Sequence, residues 1–495
     1  LKQNERFVVQ GLDRNQANVD AARKSLHALG VYGPVAVDRW SGDTLPFIEN
    51  VVNLLVIEQG VELAEAEALR VVVPNGVILR RGPEGIARTV KPRPENIDEW
   101  THYMHDAGGN PVADDDVVGP PRRLQWLGNP RWSRHHDRMA SMSALVTAGG
   151  RIFYVMDEGS RISVQMPPRW TLIARDAFNG TLLWKRSLDD WHNHLWPLKS
   201  GPTQLARRLL TDGKTVYLTL GITAPLVALD AATGKTLRTY SETKAVEEVI
   251  HTDKTLYVLV NEKPWELADY APKMNLGDQA RVDKEYQWNE EVRKLVAIDP
   301  ESGKVLWSKQ QRVAPLTLSA QGKRLMLHDG ERVVCLDRGT GEQIWQSISA
   351  ERRERLTFNF GPRLLIYQDI VLYAGGDRNM RAYDLKTGEE LWSAPHAQSG
   401  YKSPEDLMVA GGLVWVAPTT SGKDSGIFTG RDPRTGEVKM EFPPNKETYW
   451  FHHRCYISKA TDNFLMPSRT GIEFVDFSKK DWDINHWVRG GCLYG

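Results

Sequence analysis

The sequence predicts a mainly β fold, a β-propeller of seven or eight blades behind a small α/β domain, and three observations predict it. First, a hairpin pattern recurs: Asp, four residues to Gly, four more to Trp, at Asp176/Gly180/Trp184, Asp299/Gly303/Trp307, Asp337/Gly341/Trp345 and Asp384/Gly388/Trp392. Weaker copies put Arg238 or Met440 in the Trp position, after Asp230/Gly234 and Asp432/Gly436, and a remnant stands at Asp476/Lys480. Second, two strand-like runs precede each copy, such as Arg208-Leu-Leu-Thr211 and Thr215–Leu220 ahead of Leu226-Val-Ala-Leu229, which makes four strands per repeat. Third, successive Asp anchors lie 38 to 69 residues apart, near the period of four-stranded blades packed round an axis.

Residues 1–81 lie outside the repeat. Phe7–Asp13 reads as a strand ending in an acid, Asn15–Leu29 as an amphipathic helix and Val35–Arg39 as a second strand. Val51–Ile57, a helix over Glu62–Arg70 and Gly76–Leu79 continue the alternation, which predicts an α/β layer of parallel strands. Gly82–Glu99, with Pro83, Pro92 and Pro94, reads as linker, and the connecting stretch runs to residue 119. Within it Trp100-Thr-His102-Tyr-Met-His105-Asp106 reads as a helix beneath the propeller. Its two His either serve as ligands from one helical face or are hydrogen-bonded in place. The propeller takes residues 120–495. In each hairpin the Asp and the Thr or Ser can bond local amides, and Gly supplies the positive φ before the second strand.

Composition narrows the partners. The 63 basic and 63 acidic residues cancel, which removes the electrostatic case for nucleic acid or an anionic membrane surface. No apolar run is long enough for a membrane-spanning helix. Of the three cysteines, Cys335 stands in an apolar strand and reads as a small buried residue.

The long insertions all fall on one face of the expected ring. Turns from first to second and from third to fourth strand are minimal, as at Ala148-Gly-Gly150 and Asp212-Gly-Lys214. Second-to-third loops and blade-to-blade connections, on the other face, carry Asp157–Thr171 and Asn261–Arg293. Loops on a rigid scaffold are where sites are built. The connections on this built-up face hold His135, His136, Asp137 and Arg138; His192 and His194; Tyr401 and Lys402; Trp450, His452, His453, Arg454 and Cys455; and Arg489 and Cys492. In a closed ring they converge on the axis.

Three readings suit that set. His135, His136, Asp137, His192, His194, Tyr401 and Lys402 could carry acid–base catalysis, with Arg138, Trp450, Arg454 and Arg489 binding an acidic sugar or other small polar substrate. His452, His453, Cys455 and Cys492 have the chemistry of a Zn or transition-metal site. The bland alternative is a satisfied polar network filling the funnel. A further reading is a non-catalytic scaffold that takes a protein partner on the built-up face, where the insertion offers Trp265, Tyr270, Tyr286 and Trp288.

The hairpins of the form Ala-Leu-Asp-x-x-Thr-Gly-x-x-x-Trp resemble the tryptophan-docking blades of the pyrroloquinoline-quinone-type propellers, over residues ~120–495. The resemblance implies the propeller and admits two activities, quinoprotein alcohol dehydrogenase and outer-membrane assembly lipoprotein, in the periplasm or outside the cell. Pyrroloquinoline quinone is the cofactor the first implies. Such dehydrogenases hold Ca²⁺ on oxygen ligands and commonly carry an adjacent-cysteine disulfide, which this sequence lacks. The N-terminal order, with Ser41-Gly-Asp43-Thr-Leu-Pro-Phe47 and Leu69–Gly76, resembles the back half of a class I S-adenosylmethionine methyltransferase. Asp13 would then match the ribose-binding acid and Asp43 the acid near the adenine. The Gly-rich turn of that family is absent before Leu1, so the segment reads as an incomplete Rossmann-like domain and S-adenosylmethionine is not the expected cofactor.

Overall fold

The computed structural model describes residues 4, 6–131, 134, 141–196, 202–263, 284, 287–358, 360–397, 405–416, 425–445, 457–467 and 472–485. The chain divides into two compact units: Leu1–Glu95 with Leu124–Gly128 and Ala174–Leu183, and the remainder.

In the first unit the expected alternation forms two parallel pairs in separate sheets. Val9–Asp13 runs beside Val35–Arg39, joined by the helix Gln16–Ala28, whose Asn15 side chain caps the first turn. Val52–Ile57 pairs in parallel with Val72–Gly82 through the helix Glu65–Val71. Gly85–Val90 adds an antiparallel third strand inside the stretch read as linker. The prolines on either side of this strand hid its short alternation.

Among the described residues, six four-stranded antiparallel sheets and one five-stranded sheet follow one another along the chain from residue 142. Their first strands are Met142–Ala148, Leu210–Thr211, Val246–Thr252, Ser319–Gln321, Arg363–Tyr367, Met408–Ala410 and Lys459–Thr461. Arg208, expected to open the second of these, instead ends a 3₁₀ helix over Thr203–Arg208. Trp487–Gly495, which follows the seventh hairpin and reads in sequence as the entry to an eighth blade, lies outside the described residues.

The hairpin chemistry is as expected. Asp230, Asp299, Asp337, Asp384 and Asp432 each accept the amide of the Thr or Ser three residues on, at 2.7–3.0 Å. The following Gly lies under an aromatic ring of the preceding blade. A Cβ at Gly234, Gly341, Gly388 or Gly436 would come within 2.7 Å of Trp184, Trp307, Trp345 or Trp392, and φ there is 70–77°. Each indole N–H donates to a carbonyl of the same turn: Ala231, Arg338, Leu385 and Pro433. Arg238 substitutes in the second blade, covering Gly303 and donating to the Glu301 carbonyl. In the first unit, Trp126 covers Gly180 and donates to the Ala177 carbonyl at 2.9 Å, a docking residue with no hairpin of its own to announce it.

The centre is organised by a segment the sequence misassigned. Trp100–Ala113 is an irregular strap that bonds the first strand of each blade in order. Trp100 exchanges two backbone bonds with Thr147, and the Thr101 carbonyl accepts from Thr211. His102 Nε2 accepts from the His251 amide at 3.0 Å. The Ala107 and Gly108 carbonyls accept from Ala320 and Ile366. The Asn110 amide side chain makes both bonds to Val409, at 2.9 and 3.0 Å. Pro111 accepts from Ala460, and Val112–Ala113 joins the seventh blade as a parallel fifth strand. All seven contacts fall at the strand end beside the minimal turn, so the strap lies on the plain face.

His102 and His105 therefore do not share a helical face. They form a tight backbone bridge, with His105 at φ 75°. His102 donates from Nδ1 to the Thr101 hydroxyl, and burial holds its pKa down at about 3. Above the strap, Tyr103 and Met104 pack with Ala206, Leu316 and Ile457, so apolar side chains from separate blade connections fill the axis.

Two predictions follow from the strap. Asn110→Ala removes both bonds to the sixth blade and should cost about 1–3 kcal/mol in denaturant unfolding. His105 Nε2 meets Asp98 Oδ2 at 2.6 Å. Burial is the largest single influence and opposes the charge on both groups. Their mutual hydrogen bond, together with the carboxylates near His105 and the Glu99 and Asp114 amides on Asp98, outweighs it, so His105 is raised and Asp98 lowered. The pair stabilises fully between about pH 4 and about pH 6.5. Its contribution is lost as pH rises through the raised His105 value and as pH falls through the lowered Asp98 value. Thermal unfolding against pH should show the alkaline flank of this window, and His105→Gln should flatten it.

Candidate functional site at the built-up end of the axis

Of the residues expected at the site, the structure places His192 and His194. His135, His136, Asp137, Arg138, Tyr401, Lys402, Trp450, His452, His453, Arg454, Cys455, Arg489 and Cys492 lie outside the described residues. The segment Trp191–Trp196 is fixed by its own aromatics: Trp191 donates to Ser143 Oγ at 2.8 Å, and Trp170 donates to the His192 carbonyl at 2.9 Å. Trp196 stacks on Phe358 and meets the edge of His192. Both imidazoles are buried. His194 donates from Nε2 to the Val164 carbonyl at 2.7 Å, and burial lowers its pKa. His192 donates from Nδ1 to the Asn193 carbonyl at 3.1 Å, which leaves the Nε2 lone pair buried with no hydrogen-bond partner. Burial holds His192 at about 3, so the ring is neutral.

Beside them the Asp157–Thr171 insertion is tied to Arg134. This buried guanidinium bonds Asp157 at 3.0 Å and the carbonyls of Ser160, Ser163 and Met166.

Acids near the axis were missed by the sequence reading, which found only Asp137. Glu248 is fully buried and accepts from Arg207 Nε at 3.1 Å, Gln204 at 3.0 Å and the Leu316 amide at 2.7 Å. Glu247 takes Arg293 in a two-pronged pair at 3.1 and 3.3 Å. His396 Nδ1 lies 3.2 Å from Glu405, and its Nε2 donates to the Asp406 carbonyl. The usable signal was position: both acid pairs immediately precede a first-strand apolar run, where a charge must be buried and hence paired.

A cleft opens among these elements, lined in part by Thr203, Gln204, Glu247, Trp288, Arg293 and Phe358. Trp288, expected among the interface aromatics of the insertion, is instead buried between the guanidinium groups of Arg293 and Arg352 at 5.6 and 5.5 Å. Trp265, Tyr270 and Tyr286 lie outside the described residues.

Among the described residues, no three His, Cys, Asp or Glu side chains come together as a metal set. Glu247 and Glu248 are committed to arginines, so the described part of the funnel does not fit a quinone with a hard cation. In the first unit, Asp13 accepts from the Asn15 amide and the Asn18 side chain, which stabilises the following helix, and Asp43 is exposed.

Blades of four antiparallel strands, the first six docked in succession through a Trp or Arg over a glycine, define a β-propeller of the quinoprotein-like repeat class. The family described as outer membrane protein assembly factor BamB matches residues 169–440, more than half of the chain, and the chain belongs to that family. No curated protein matches it. Among solved structures, a europium-containing methanol dehydrogenase is 10% identical, over 78% of this chain and 84% of that one, with a TM-score of 0.48. BamB from Moraxella catarrhalis is 14% identical over 71% and 84%, with a TM-score of 0.40. Quinohemoprotein alcohol dehydrogenase from Comamonas testosteroni is 11% identical over 77% and 71%, with a TM-score of 0.45. These likenesses concern the fold and not the activity. The methyltransferase resemblance of the N-terminal segment gains no support from them.

The buried Glu248 gives a prediction. Glu248→Ala strands the Arg207 charge and should cost about 3–5 kcal/mol in denaturant unfolding. Glu248→Gln, which keeps acceptors for Gln204 and the Leu316 amide, should cost less.

Proposed function

We propose that this propeller works by binding: a scaffold that receives a protein partner on its built-up face, in the periplasm or outside the cell. The packed axis carries this reading. Tyr103, Met104, Ala206, Leu316 and Ile457, from the strap and from three separate blade connections, pack into one apolar cluster, which supports an interior built for rigidity. The family, described by its role in outer-membrane protein assembly, supports the same reading. Among the described residues there is no helix long and apolar enough to cross a membrane.

His192 supports a second reading, a quinoprotein-like oxidoreductase acting on an alcohol or sugar. Its neutral imidazole with an uncommitted Nε2 can accept a hydrogen bond from a substrate hydroxyl and so position it, although burial makes it a weak base.

The absorption spectrum, metal content and dye-linked alcohol or sugar oxidation of the purified protein separate the two. The scaffold reading expects no quinone band, no stoichiometric metal and no dye reduction. It also expects cross-links from a captured partner to map to the built-up connections, and to weaken when residues 264–283 are deleted. A stoichiometric quinone with turnover would overturn it in favour of the second.

A further inference from the structure

Several buried polar atoms lack a hydrogen-bond partner, Nε of Arg208 and Nε of Arg363 among them, and the indole Nε1 of Trp288 is another. Neither arginine borders the cleft described above; Trp288 does. Trp288 is 7% exposed, and its main-chain amide is tied to the Leu356 carbonyl at 2.8 Å. A Cβ at Gly330 would come 3.2 and 3.4 Å from its Cη2 and Cζ3. The six-membered side of the indole therefore lies against Gly330, and the side that carries Nε1 is turned from Gly330 toward the cleft. A buried N–H left without an acceptor is destabilising, and an acceptor brought into the cleft removes that cost.

The lining narrows what that acceptor belongs to. Both arginines against Trp288 are neutralised, Arg293 by Glu247 at 3.1 Å and Arg352 by Glu290 at 2.6 Å, so these charges cancel and a neutral group fits better than an ion. Gln204, which also lines the cleft, gives Nε2 to Glu248 at 3.0 Å and keeps Oε1 as an acceptor. The cleft thus offers one N–H donor and one carbonyl acceptor, the complement of a peptide group. Leu356, Phe358 and Phe360 supply apolar wall for an adjoining side chain. The space is about 330 Å³ with its open mouth included, and only about 20 Å³ of it takes the centre of a water-sized group. A segment that reaches in with one peptide group suits that shape. The lining comes from blade-to-blade connections, the start of Val246–Thr252 and the end of the Asn261–Arg293 insertion, all at the built-up end.

We propose that this cleft receives a main-chain peptide group from an extended segment of the protein partner. The segment's carbonyl accepts from Trp288 Nε1, its N–H donates to Gln204 Oε1, and the adjoining apolar side chain lies on Phe358 and Phe360. The inference rests on the scaffold reading and gives it a point of attachment.

The probe is N-acetyl-leucine N-methylamide, titrated into the full chain carrying ¹⁵N in its tryptophans, with isoamyl alcohol and free leucine as controls and Trp288→Phe to assign the indole signal. The amide should bind saturably, at about millimolar affinity for a molecule of this size, and move the Trp288 indole N–H downfield. The alcohol, which carries the same apolar group, and the zwitterion should each bind about tenfold more weakly, the value of one hydrogen bond. Trp288→Phe should weaken the amide by a similar factor. Gln204→Met, which removes the acceptor and keeps the side-chain length, should do the same and serves if Trp288→Phe does not fold. Equal binding of amide and alcohol, an indole signal that none of the three compounds moves, as when water alone fills the cleft, or variants that bind as the wild type would each overturn the proposal. Partner cross-links on the built-up connections without amide binding sink this attachment and leave the scaffold standing, whereas the absence of both sinks the scaffold too.

Discussion

The strap Trp100–Ala113 is the constraint on which the rest of the propeller depends. First strands of a ring of blades end in backbone N–H groups that face the axis and have no neighbouring strand to accept them. Here the acceptors come from one segment, which meets Thr147, Thr211, His251, Ala320, Ile366, Val409 and Ala460 in blade order. Each such amide left without a partner in the interior would cost about 1–3 kcal/mol. Neither a helix nor a strand could do this, because its own carbonyls would be spent internally or spaced along a line. The strap turns instead, through His105 at φ 75° and Gly109 at φ 79°, where a Cβ would come 3.0 Å from Ser319 Oγ.

A second, outer level of closure uses different physics. The docking rings pack over glycines near the rim and are mostly apolar, with one N–H each to orient them. The inner level is polar and sequence-distant, the outer one apolar and periodic. Between them the blades have little freedom to slide. The built-up end can therefore hold charges in the interior: Arg207 with Glu248, Arg293 with Glu247, and Arg208 with no acid at all.

This division explains what the sequence disclosed. The hairpins were legible because Asp, Thr and Gly act within a few residues of one another and the Trp, though it docks on the next blade's turn, recurs at a fixed offset from them. The strap was not, because its bonds are made by main-chain groups and by partners up to 299 residues away, and a run rich in His, Gly and Asn carries no period. Trp126 escaped notice for a similar reason, since it docks like the others without a hairpin pattern around it. At the site, His192 and His194 could be picked out by type and by connection. Glu248 and Arg208 could not, because each stands at the margin of an apolar run and reads as the exposed end of a strand. Only the folded neighbourhood shows that one is paired and the other is not.

The order of the strap's contacts also bears on how the chain is made. Trp100 meets a partner 47 residues downstream, Asn110 one 299 residues downstream. A ribosome adding roughly 5–20 residues per second releases the strap first and its last partners tens of seconds later. The strap then works as a template that collects blades as they emerge, each newly finished first strand taking the next place along it. Until the seventh arrives, Val112–Ala113 lacks the strand it will pair with, and that interval is when the nascent protein is most open to wrong pairing.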